Sequence, residues 1–89
     1  MPKPKTLAQL ADLFAPVMKK EDTLRVFADL LTGPEREDLL LRLRIVEALL
    51  GGATQREVAK KLGVSIAKVT RGAEALRQSK GGFASLFCV

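Results

Sequence analysis

Seven cationic side chains, Arg56, Lys60, Lys61, Lys68, Arg71, Arg77 and Lys80, crowd into residues 54–80, against two carboxylates, Glu57 and Glu74. That local excess of five positive charges equals the net charge of the whole 89-residue chain, +5, so the other residues sum to zero. Ammonium and guanidinium groups bind phosphate, and a forked guanidinium can also grip a guanine edge through two hydrogen bonds. The chemistry on offer is recognition of a polyanion, with nucleic acid the first candidate. A charge run is otherwise a solvated face. What separates the two readings is whether the elements that carry the charge could enter a groove.

Other chemistry is poorly provided for. The chain has no His, Trp or Tyr and a single Cys. No metal-ligand cluster, Cys-His pair or Ser-His-Asp set can be assembled, and no Gly-rich phosphate loop follows a strand. An enzyme is not expected, nor a metal. The opening MPKPKT is too short and polar for a signal peptide, and no apolar run reaches the ~18 residues of a membrane span. The expectation is a soluble cytoplasmic protein in which Cys88 stays a reduced thiol, a small apolar tail residue rather than a reactive one.

The elements that must position the cations are legible. Thr54 precedes Glu57 by three residues, a capping-box pattern at a helix start. Val58, Ala59 and Leu62 then recur at helical spacing. Gly63 can end that helix in a left-handed conformation without a Cβ penalty. Ser65 is placed to cap a second helix, with Ile66, Val69 and Ala73 facing back onto the first. The small Ala59 allows a close crossing. This is helix-turn-helix geometry, in which the second helix enters the major groove. A plain helical hairpin has the same pattern; the coincidence of geometry with the chain's whole charge excess favours DNA.

Upstream, residues 1–5 read as a loose Pro- and Lys-bearing arm. Thr6 and Gln9 form another capping pair, with Leu7, Leu10, Ala11, Phe14 and Met18 on an apolar face, and Pro16 ends or kinks that helix near Phe14. Asp22 can cap a second helix carrying Leu24, Val26, Phe27, Leu30 and Leu31. Thr32-Gly33-Pro34-Glu35 reads as a third capping box that opens a third helix, with Pro in the first turn where its missing N–H is harmless. That helix, 33–50, is the most apolar. Leu39, Leu43, Val46 and Leu50 make one stripe, and Leu40, Leu41, Ile45, Ala48 and Leu49 widen it. A helix apolar nearly all round must be buried nearly all round, and so small a chain lacks the material. The reading is a central helix shared with a second subunit. Gly51-Gly52 ends it. After Gln78 the chain breaks at Gly81-Gly82, and residues 83–89 form a short apolar tail that packs on the core or a partner.

For groove contacts, Gln55 and Arg56 open the first motif helix. Ser65, Ile66, Ala67, Lys68 and Thr70 begin the second. Ile66 and Ala67 suit a thymine methyl or a close approach; Lys68 and Thr70 suit phosphates or base edges. Lys60 and Lys61 read equally well as a solvated face. Thr70 can instead bond back to its own helix.

LTGPERE, RLRIVEALL, QREVAKKLG and SIAKVTRG, in that order, resemble the tryptophan-operon repressor family, itself a standard example of helix-turn-helix docking. The resemblance covers residues 31–76, about half the chain, and includes the helix before the motif as well as the motif. It implies an all-α fold, an intertwined homodimer with its helix-turn-helix in the C-terminal half, that binds double-stranded operator DNA when L-tryptophan is bound. Arg42 and Arg71 occupy the positions whose guanidinium planes sandwich the indole. Arg71 also pairs with the ligand carboxylate, Thr32 adds its hydroxyl, Gly72 leaves room for the ring, and the carbonyls near Leu31 meet the ammonium group. Arg56 stands where the family contacts a guanine. A planar Arg can both stack and grip a carboxylate, which Lys cannot. Ala75 stands where many members have Ser, Asp29 where an apolar residue is common, and one residue is missing around Gly52-Ala53.

The resulting expectation is one helical domain: arm 1–5, core and dimerisation helices 6–50, helix-turn-helix 54–78, tail 83–89. Its function would be transcriptional repression gated by tryptophan as co-repressor. The alternatives are a regulator of the same fold with no tryptophan response or another ligand, and a helical protein-interaction module built on the apolar third helix and tail.

Overall fold

Local capping decides where the helices begin. A computed structural model describes residues 6–17 and 19–88. The arm 1–5, Met18 of the first apolar face and Val89 at the end of the tail lie outside the described residues. Among the described residues six helices follow one another: α1 (Leu7–Phe14), α2 (Lys20–Leu30), α3 (Gly33–Leu50), α4 (Gln55–Leu62), α5 (Ile66–Arg77) and α6 (Gly82–Phe87). No strand occurs among the described residues. The chain divides into two compact units, Met1–Gly33 and Pro34–Val89.

In the first unit, the Thr6 hydroxyl accepts from Gln9 N at 3.2 Å and Gln9 Oε1 accepts from Thr6 N at 3.1 Å, a complete capping box. The helix ends at Phe14, two residues before Pro16: Ala15 keeps helical angles and its N–H still bonds Ala11 O at 2.8 Å, but Pro16 has no N–H with which to continue the ladder. Asp22 does not cap α2. That helix starts earlier, at Lys20, with Lys19 as an N-cap that makes no side-chain bond. Asp22 lies inside the first turn and pairs with Arg25 at 3.2 Å. A carboxylate there still opposes the helix dipole favourably. Leu10, Leu13 and Phe14 of α1, with Val17 and with Val26, Asp29 and Leu30 of α2, line an open and mostly apolar groove.

The second unit is built around Ile45, Val58 and Val69, one from each of α3, α4 and α5. Leu41, Ala48, Leu49, Ala53, Ala59, Leu62 and Val64 pack against them. Thr54 and Glu57 close the expected box: Glu57 N donates to Thr54 Oγ1 at 3.2 Å and Thr54 N to Glu57 Oε1 at 3.0 Å. These bonds from Thr54, the backbone one foremost, hold the Glu57 carboxyl below its usual range. The box is therefore intact above the ordinary Glu titration range and is lost as pH falls through the lowered value. Gly63 caps α4 at φ 66°, ψ 38°, and Val64 N returns to Ala59 O at 3.1 Å. Ser65 Oγ accepts from Lys68 N at 3.3 Å and starts α5.

Two expectations of burial are corrected. Ile66 does not face back onto α4; it is 51% exposed, because it lies in the first turn of α5, ahead of the buried Val69. Within α3 only Ile45 and Val46 are buried, while Leu39 and Leu40 remain exposed. The tail is a six-residue helix, α6, with Phe83, Ala84 and Phe87 half-buried and Leu86 exposed. Cys88 is exposed as a free thiol.

Candidate functional site

The crossing of α5 over α3 sets the geometry of the site. Gly72 is buried at that crossing. A Cβ there would stand 2.5 Å from Ile45 Cγ2 and 3.3 Å from Ile45 Cβ, so glycine is what lets the two backbones approach. The close approach supplies a reason for Gly72 that is independent of any ligand.

Beside this crossing lies a cavity of about 270 Å³. Asp38, Leu41, Arg42 and Ile45 line it from α3, at the i, i+3, i+4, i+7 spacing of one helix face. Lys68 and Arg71 line it from α5. The two arginines singled out in the sequence, twenty-nine positions apart, thus share one cavity. Neither is drawn off by a neighbouring carboxylate. Glu47 pairs with Arg44 at 3.1 Å. Glu74 pairs with Arg77 and also accepts from Gln78 Nε2 at 3.0 Å; the Arg77 bond holds the Glu74 carboxyl below its usual range and raises Arg77. Among the described residues Arg42 and Arg71 make no ion pair, so both guanidinium groups are available to a guest. Leu31 and Thr32 belong to the first unit, Leu31 as the C-cap of α2.

The candidate groove-reading residues surround the start of α5. Gln55 and Arg56 are the first two residues of α4, and Ser65, Ile66, Ala67, Lys68 and Thr70 occupy the cap and early turns of α5; all are exposed. Thr70 Oγ1 lies 2.9 Å from Ile66 O and 3.0 Å from Gln55 Oε1. One hydroxyl carries one proton, so it cannot donate to both. Turning the Gln55 amide end for end resolves this: the hydroxyl donates to Ile66 O and the Gln55 amide donates to Thr70 Oγ1, since amide orientation is assigned from the bonding network. The bond back to its own helix, anticipated for Thr70, is therefore made, and a second one ties α4 to α5 at their N-terminal ends.

Sequence reasoning missed Asp38 altogether and assigned Lys68 to DNA alone. The signal was the shared face of Asp38, Leu41, Arg42 and Ile45, readable once Arg42 was singled out. Among the described residues no group of His, Cys, Asp and Glu is placed to hold a metal, and no helix is long and apolar enough to cross a membrane.

The model of the Trp repressor protein family matches the chain over residues 5–88. A Trp operon repressor homolog of Chlamydia trachomatis serovar L2 is 48% identical over 68 residues, 74% of this chain and 72% of the relative. The homolog of Chlamydia caviae is 56% identical over 52 residues, 57% of this chain and 52% of the relative. That of Xylella fastidiosa strain M23 is 48% identical over 60 residues, 66% of this chain and 65% of the relative. No solved structure matches the chain significantly. With an all-helical fold, a helix-turn-helix in its second unit and a family match across nearly its whole length, the chain belongs to the Trp repressor family and is a transcriptional regulator, not an enzyme.

Proposed function

We propose that this regulator is a homodimeric repressor that binds operator DNA through α4 and α5 and takes L-tryptophan as co-repressor between Arg42 and Arg71. The observation that carries the reading is the cavity of about 270 Å³ in which both arginines stand without a carboxylate partner. Its size is near the lower end of the ~300–1,000 Å³ typical of small-molecule sites, which suits a guest of amino-acid size. The cavity lies between α3 and the helix that must enter the groove. A flat molecule held there would fix the angle of α5, and linkage requires that it favour the DNA-competent state, by ~1–3 kcal/mol in typical couplings. The roles of Leu31 and Thr32 rest on the family resemblance alone.

Dimerisation is supported by the apolar surface that one chain leaves uncovered. Leu39 and Leu40 on α3, Leu7, Leu10 and Leu13 on α1, and Leu24 and Leu30 on α2 are all exposed. Two reading heads related by a two-fold axis would bind half-sites one DNA turn apart, about 34 Å, and call for a near-palindromic operator. The test is operator binding by the full chain with and without millimolar L-tryptophan, alongside sedimentation at micromolar concentration. A dimer whose operator affinity rises about 5- to 150-fold with tryptophan is expected. A compact 9.7 kDa monomer would refute the assembly, and an affinity indifferent to tryptophan would refute the co-repressor.

Readout divides between two cations. Arg56 is exposed at the start of α4, and a bidentate Arg–guanine pair discriminates by ~1–3 kcal/mol. Arg56→Ala is expected to relax preference at one operator base pair, whereas Lys68→Ala lowers affinity more evenly across sequences and flattens its salt dependence. A panel of single-base operator variants separates the two outcomes; equal losses for Arg56→Ala on every variant would reduce it to a phosphate contact.

A further inference from the structure

The Thr70 hydroxyl has one proton and two lone pairs. Its proton goes to Ile66 O, 2.9 Å away on its own helix. Toward Gln55, fifteen positions back on α4 and 3.0 Å away, it can therefore only accept. An amide has two different ends, and a free glutamine can turn either one to a neighbour. Against a hydroxyl with no proton to give, only the NH2 end bonds. Thr70 thus fixes which way round the Gln55 amide stands. One N–H of that amide is spent on Thr70, and the other N–H and the carbonyl are left. Both residues are exposed, Gln55 as the first residue of α4 and Thr70 early in α5, so these two groups are open to a ligand.

We infer that Thr70 is a positioning residue and that Gln55, oriented by it, reads adenine in the major groove. This rests on the DNA-binding reading above and sharpens it. Adenine is the base that offers a donor, its N6 amine, beside an acceptor, N7, and a glutamine with one N–H and its carbonyl free matches both. Guanine offers two acceptors on the same edge, thymine an acceptor and a methyl group, and cytosine a lone donor. Each of these leaves a Gln55 group unpaired or faces it with its like. An unanchored amide would turn over and present its two groups in the opposite order, so the discrimination depends on the hydroxyl. Thr70 acts through Gln55 rather than on a base, and the pair complements Arg56, the next residue, whose fork suits guanine.

The test is selection of sites by the full chain from a random duplex pool spanning two DNA turns. It is run in millimolar L-tryptophan and again without it, so that the outcome does not hinge on gating. The selected pools are sequenced for wild type, Gln55→Ala, Thr70→Val and Thr70→Ser. Val removes the hydroxyl at nearly constant shape, and Ser keeps it. In wild type each half-site is expected to carry one A·T pair preferred about 5- to 150-fold over other pairs, the range of a good bidentate contact. Gln55→Ala and Thr70→Val erase the preference at that same pair, and Thr70→Ser retains it. Preferences elsewhere in the half-site persist in all three variants. Loss at that pair in Gln55→Ala but not in Thr70→Val overturns the positioning role. Loss at a pair other than A·T overturns the adenine assignment. Even weakening at every pair in both variants overturns the whole inference, by reducing the two residues to a brace between helices or a phosphate contact. If wild type enriches no sequence in either condition, the DNA-binding reading fails and this inference with it.

Discussion

Arg71→Ala is expected to make operator binding indifferent to tryptophan. Arg71 is the one cavity-lining guanidinium carried by the helix whose angle the guest would set. It makes no ion pair among the described residues and is exposed, so its removal costs little folding stability. Its loss takes away a stacking plane and a carboxylate grip together, which Lys could not replace. A coupling of ~1–3 kcal/mol corresponds to a ~5- to 150-fold change in operator affinity, and that whole factor disappears. Arg71 is carried by α5, the helix proposed to enter the groove, so basal affinity can fall for a separate reason. The quantity to measure is therefore the ratio of operator affinities with and without millimolar tryptophan, at fixed salt. Arg42→Ala is the companion variant. It is on α3, behind the reading helix, and should abolish the same ratio with basal affinity retained. Should Arg71→Ala keep the wild-type ratio, the guest is not held between these arginines.

How far such a site can be read from the chain depends on the range of the interactions that build it. The two confirmed capping boxes, Thr6 with Gln9 and Thr54 with Glu57, span three residues each and were legible because all their parts are local. So were the Gly63 and Ser65 caps that set the turn between α4 and α5. Asp22 misled because an Asp near the start of a helical pattern suits both the cap and the first turn, and the helix begins earlier, with Lys19 as its N-cap. Ile66 misled because periodicity assigns a face to a residue, not a depth: in the first turn of α5 it overhangs the crossing that buries Val69. Arg42 and Arg71 were carried by the family resemblance. Their convergence on one cavity, and the presence of Asp38 and Lys68 in it, depend on where α5 crosses α3, thirty residues away in sequence. That crossing is fixed by Gly72 against Ile45, a contact that no local pattern encodes.

Gly72→Ala should therefore be destructive, although the rule for helix interiors points the other way. Replacing Gly by Ala in an exposed helix stabilises it by ~1 kcal/mol. Here the new methyl group would meet Ile45 Cγ2 at 2.5 Å. Ile45 is 2% exposed and cannot swing into solvent, and a Cβ has no rotamer by which to escape. Either Ile45 leaves its packed position against Val58 and Val69 or α5 lifts off α3. Overpacking of this kind costs ~1–3 kcal/mol, more where the backbone must move, and outweighs the propensity gain. The expected result is a net loss of about 1–2 kcal/mol, or ~4–16 °C in melting temperature for a chain of this size. Because the displaced helix carries Lys68 and Arg71, tryptophan binding should weaken in parallel. A double-mutant cycle with Ile45→Ala isolates the cause: Gly72→Ala should cost at least ~1 kcal/mol less where the isoleucine has been cut back, since contacting residues couple on that scale. If Gly72→Ala melts at or above wild type, α5 does not ride on Ile45 as closely as this crossing requires, and the geometry that brings Arg42 and Arg71 to one cavity loses its support.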